Sequence, residues 1–142
     1  MTDASTSAAI GAALATARLR ATRLHLLEWH KALVDAERER YERMHGRVDN
    51  AHQMLHLVIQ DPWFAWLRPV SALIVQADER MADDAPVQMT EARDLAREVR
   101  RLLDGDGSAA SFRDAYHRLL QGSPDVVLAH GRLLAHLTEP SS

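Results

Sequence analysis

Cysteine is absent from the chain. That excludes disulfides, thiolate metal sites and a cysteine nucleophile, and it fits a reducing cytoplasm. Lysine is nearly absent too: Lys31 is the one lysine among 17 basic residues, and the net charge is −3. A dedicated nucleic-acid binder usually carries a basic face, so no nucleic-acid partner is expected. No apolar run approaches the ~20 residues of a membrane span, so no membrane partner is expected either. The Ala-rich segment from Ala8 to Ala17 has no Lys or Arg before it, so it lacks the charged start of a signal peptide. No strand-like alternation and no fixed-period repeat appears. No glycine-rich phosphate loop is present, and Ser71 and Ser111 have no His at a spacing that suits a nucleophile and its base.

What is present is a helical pattern. The 142 residues are 46% apolar and 26% charged, values that suit one globular domain with a real core. Residues 1–12 read as a mobile tail or frayed helix start, 13–138 as the domain, and 139–142 as a second tail. From Leu14 to His45 neither Pro nor Gly intervenes. Leu19, Leu26, Leu27, Leu33, Val34, Tyr41 and Met44 fall within an arc of about 120° on a helical wheel. Gly46 is placed to end this helix. Asp49 or Asn50 then caps a short helix that turns Met54, Leu55, Val58 and Ile59 inward.

The richest stretch is Asp61-Pro62-Trp63-Phe64-Ala65-Trp66-Leu67-Arg68-Pro69, with three of the chain's seven aromatic residues. Asp61 supplies an N-cap oxygen and Pro62 suits the first helical position. The third helix runs on to about Met81, bent at Pro69. Thr90 caps a fourth helix. Asp104-Gly105-Asp106-Gly107-Ser108 is a turn. It fails as a calcium loop, because Ala109 and Ala115 stand where glycine and the bidentate glutamate belong. Ser111 with Asp114 resembles a capping box for a fifth helix, and Ser123-Pro124 opens the last. The fold class is all-α: an antiparallel bundle of five to six helices with a long first helix.

Eight histidines invite a metal reading. On the wheel His30 falls amid Leu26, Leu27, Leu33 and Val34, with Glu37 two turns on. His130 falls amid the apolar positions of the last helix, while His25, His117 and His136 face outward. His52 and His56, at i and i+4, lie at the polar edge of their helix. A buried Glu37 needs a partner or a raised pKa. Three readings are open. In one, His30 or Arg23 satisfies Glu37 and His130 bonds Tyr116 or a backbone carbonyl, a core network that fixes helix register. In another, His30, Glu37 and His130 hold zinc or iron as two imidazoles and a carboxylate. In the third, Tyr41, Trp63, Trp66 and Tyr116 wall a small-molecule pocket with His30, Glu37 and His130 as its polar fingers. A di-iron centre needs two Glu-x-x-His pairs; Glu42 and His45 supply only one.

The Asp61–Pro69 stretch, with Tyr41-Glu42-Arg43-Met44-His45-Gly46 and Ser123-Pro124-Asp125-Val126-Val127-Leu128-Ala129-His130, resembles a group of small bacterial helical proteins of no assigned activity. The resemblance covers most of residues 24–137 and implies a bacterial cytoplasmic protein, but brings no cofactor or partner. The functional expectation is a non-enzymatic binding or interaction module, a homodimer with a polar-lined core pocket. Part of the long first helix is left uncovered by one chain, which makes an association surface. The alternative is a metal- or small-ligand-dependent enzyme or sensor built on His30, Glu37 and His130.

Overall fold

The computed structural model describes residues 2–105 and 110–139. Among these the chain is all-helical, with six α-helices and no strand. Helix α1, Thr2–His45, is helical from the second residue and spans the molecule. Its end follows from Gly46, whose φ of 92° lies in the left-handed region that glycine tolerates. The next loop is tied back to α1: Arg38 donates to the Val48 carbonyl at 2.9 Å and the Val48 N–H donates to Glu42 at 2.8 Å.

Helix α2, Ala51–Gln60, is capped by Asn50, whose side-chain oxygen accepts from the Gln53 N–H at 2.8 Å. Asp61 then caps the aromatic stretch by accepting from the Trp63 N–H at 2.8 Å, as its Asp-Pro signature predicts. The expected single bent helix is instead two elements. Pro62–Leu67 forms a 3-10 turn and α3 occupies Arg68–Ala82. Pro69 has no N–H, and its ring would clash with the carbonyl four residues back in a continuous helix. The proline therefore sits in the first turn of α3.

Helix α4, Met89–Asp104, starts one residue before the Thr90 expected to cap it. The Glu91 carboxylate accepts from the Gln88 N–H at 3.0 Å, so the reach-back half of a capping box fixes this start. Gly105, at φ 69°, ends it; Asp106 to Ser108 of the expected turn lie outside the described residues. Helix α5, Ala110–Gly122, carries Ser111 and Asp114 within it, both exposed, in place of the expected cap. Helix α6, Pro124–Thr138, is capped by Ser123. No helix among the described residues is long and apolar enough to cross a membrane.

Helix α1 packs against α3, α4, α5, α6 and the 3-10 turn, most extensively against α6. Beside the buried Glu37, its buried positions are Ala15, Leu19, Thr22, Leu26, Trp29, Leu33 and Ala36. These alternate by four and three residues, a seam of 3.5-residue period. Helix α6 answers with Val126, Ala129, Leu133 and His136, on the same alternation. The seam is rotated from the expected arc. Leu27, Val34 and Tyr41 are only partly buried, and Met44 is in solvent. Likewise α2 buries Met54 alone and leaves Leu55 and Ile59 exposed, opposite to expectation.

Candidate functional site

The seven residues expected to line one pocket divide into three groups. The innermost is a relay from α1 through α5 to α6. The Trp29 indole N–H donates to the Tyr116 hydroxyl oxygen at 3.0 Å, and that hydroxyl lies 2.6 Å from His130 Nδ1. Trp29 and Tyr116 are fully buried, so the hydroxyl hydrogen has His130 Nδ1 as its acceptor. This fixes His130 as the neutral tautomer protonated on Nε2. Desolvation lowers the His130 pKa, and Arg100 and His117 nearby lower it further. Burial pushes the Tyr116 phenol well above its usual value, with the Trp29 hydrogen bond opposing. Phe112 stands between Trp66 and Trp29, at centroid distances of 5.2 and 5.9 Å, and extends the relay into an aromatic core.

The second group lies at the far end of α1. Glu37 is 2% exposed, and both its oxygens accept from Arg40 Nη1 at 3.0 Å. Arg40 sits 5.4 Å from the Trp63 ring centroid, a cation–π contact. Tyr41 stacks on His45 at 4.4 Å and meets Trp63 edge-on at 5.8 Å. The partner of Glu37 is thus Arg40, one helical turn away, and not Arg23 or His30. Arg23 is committed elsewhere, in an ion pair with Asp78 that ties α1 to α3.

The third group is a pair. His30 Nε2 is 3.1 Å from the Ser71 hydroxyl, and burial lowers the His30 pKa. His30 lies beside the α1 seam, since Trp29 takes the inward position.

His30, Glu37 and His130 therefore have separate partners on separate elements. Among the described residues no group of three or more His, Asp or Glu side chains is placed to hold a metal ion. The two-imidazole, one-carboxylate set expected from the wheel is not assembled: His30 is held by Ser71, Glu37 by Arg40 two turns further along α1, and His130 by Tyr116. His52 and His56 both face solvent.

One polar contact in the seam escaped the sequence reading. His136, expected outside, is 5% exposed. Thr22 donates its hydroxyl hydrogen to the Arg18 carbonyl at 3.1 Å, so its oxygen accepts from His136 Nε2 at 2.8 Å. The other imidazole of this contact, His25, stacks on His136 at 4.6 Å. Desolvation, then His25 and Arg18, lower the His136 pKa. The continuing three-and-four spacing from Val126 was the signal that placed His136 inward.

Among the described residues two buried donors lack acceptors: the indole N–H groups of Trp63 and Trp66. The other buried polar side chains among the described residues, Thr22, Glu37 and His136, are hydrogen-bonded, as native interiors require. Chemically the three groups are closed networks. Each joins two or more elements, and in the third the Ser71 hydroxyl lies against the His30 imidazole at the spacing of a nucleophile and its base. Comparison of the chain with protein-family models, curated proteins and solved structures gives no match.

Proposed function

We propose that the protein is a non-enzymatic interaction module: an antiparallel helical bundle that pairs with a second copy through the outer face of α2. The observation that carries this reading is the exposure of Leu55 and Ile59, 58% and 59%, four residues apart on one helix face. A helix this apolar normally turns those side chains into its own core. Here α2 rests chiefly on the 3-10 turn and is anchored by Met54. Apolar side chains held in solvent on an ordered helix mark an interaction surface. A self-complementary face closes most simply as a two-fold pair. The uncovered stripe expected on α1 contributes Ile10 and Leu14, also exposed, at the opposite end of that helix from Met44.

Non-enzymatic function is supported by how the polar residues are used. The Glu37 carboxylate, the Tyr116 hydroxyl and His130 Nδ1 are taken up by neighbouring side chains, which favours a register-fixing role over a reactive one. The cysteine-free composition accords with a cytoplasmic setting. A ligand sensor is the second reading, and the unpaired indole N–H groups of Trp63 and Trp66 favour it. The test is light scattering after size exclusion. The wild type is expected to approach twice the chain mass as concentration rises. The Leu55→Glu/Ile59→Glu variant should keep its helicity and remain monomeric. A monomeric wild type at millimolar concentration would sink the proposal.

A further inference from the structure

A different surface carries charge out of keeping with the rest of the chain. Arg93, Arg97 and Arg100 follow one another at i, i+4 and i+7 on α4, and so share a face. Arg18 comes to the same place from α1, and the four guanidinium groups line one cleft of about 260 Å³. Leu137 and Ala96 give its lining an apolar part, and Glu139 is its one carboxylate. Four positive charges against one leave the lining at +3, on a chain whose net charge is −3.

These charges are weakly compensated. Arg97 meets Asp94 at 3.5 Å with both side chains largely exposed, and Arg100 meets Asp104 at 3.3 Å with both about half exposed. Such surface pairs exchange readily for a better partner. Arg18 donates to the backbone carbonyl of Glu139 at 3.1 Å, which holds the end of α6 at the cleft. Arg93 has no side-chain partner among the described residues. Like charges at i and i+4 repel, so an anion in the cleft relieves the free protein as well as binding to it.

We propose that this cleft is a binding site for a small phosphorylated molecule carrying at least two negative charges. Guanidinium forks match the paired oxygens of a phosphoryl group, and arginine keeps its charge at every physiological pH. The concave, small volume suits a compact free anion. A nucleic-acid backbone would need an extended basic track, which a chain of negative net charge does not offer. The site is independent of the α2 face and of self-association.

Calorimetric titration with inorganic pyrophosphate, against chloride at matched ionic strength, tests this. The wild type should bind pyrophosphate more tightly than orthophosphate. Arg93→Ala/Arg97→Ala should weaken binding at least tenfold, while Arg132→Ala, outside the cleft on α6, should not change it. Glu139→Gln should tighten binding, an arm that holds even if the double variant loses helicity. Absence of pyrophosphate binding at millimolar concentration would overturn the assignment. So would equal affinity in wild type and double variant, or tighter binding of a short single-stranded oligonucleotide than of pyrophosphate.

Discussion

Replacing Tyr116 by Phe removes one oxygen and leaves the shape of the core unchanged. The loss falls on two neighbours at once. Trp29, fully buried, keeps an indole N–H whose acceptor at 3.0 Å is gone. His130 Nδ1 loses its donor at 2.6 Å. A buried group left unsatisfied costs roughly 1–3 kcal/mol. The half-buried His130 recovers part of its loss from solvent, so the sum is about 2–4 kcal/mol. For a domain of this size each kcal/mol shifts Tm by on the order of 4 °C, which places the drop near ~8–16 °C. The assay is thermal and urea unfolding of Tyr116→Phe, Trp29→Phe and the double variant. With Trp29 already gone, Tyr116→Phe should cost at least ~1 kcal/mol less, the coupling that a shared hydrogen bond demands. Trp66→Phe is the internal control. Its indole N–H has no acceptor to lose, so that change should lie within ~1 kcal/mol of the wild type apart from the volume removed. A Tyr116→Phe variant as stable as wild type, or strictly additive with Trp29→Phe, would refute the relay.

Two further outcomes follow from the other groups. His30, His130 and His136 all have pKa values lowered by burial; the unfolded chain therefore binds more protons just below pH 6.5, and stability should be full above that value and fall as pH drops through it toward 5, read as Tm against pH. Arg40→Ala should cost about 3 kcal/mol, because Glu37 would be left buried and ionised without a partner, whereas Glu37→Met should be neutral or stabilising in the same urea titration.

Much of the helical framework was legible from local chemistry. Gly46, Asn50, Asp61-Pro62, Gly105 and Ser123-Pro124 each act through their own backbone or a neighbour within three residues, so the chain announces them without tertiary information. The candidate site was legible only in part. Tyr116 was one of two partners expected for His130, beside a backbone carbonyl, and the structure contains that pair. Trp29 was not legible because Leu27, Val34 and Tyr41, only partly buried in the fold, pull the centre of the apolar arc toward His30 and away from Trp29. Thr22, Ala15 and Ala36 add little hydropathy to correct it. Glu37 with Arg40 lies at i, i+3, a local spacing that the sequence itself displays. Thr22 with His136 spans 114 positions, and no local rule connects them. Leu55 and Ile59 were expected inside because periodicity identifies an apolar face but not what covers it. The cover is tertiary, and on α2 it stops at Met54.

Methyl resonances report most directly on pairing through that uncovered face. In a dilution series from millimolar to micromolar concentration, the methyl signals of Leu55 and Ile59 should move together along one saturable curve. Those of Leu26 and Leu133, buried in the α1–α6 seam, should stay fixed. If the Leu55 and Ile59 signals are independent of concentration, or if shifts centre on Ile10 and Leu14 instead, α2 is not the pairing surface.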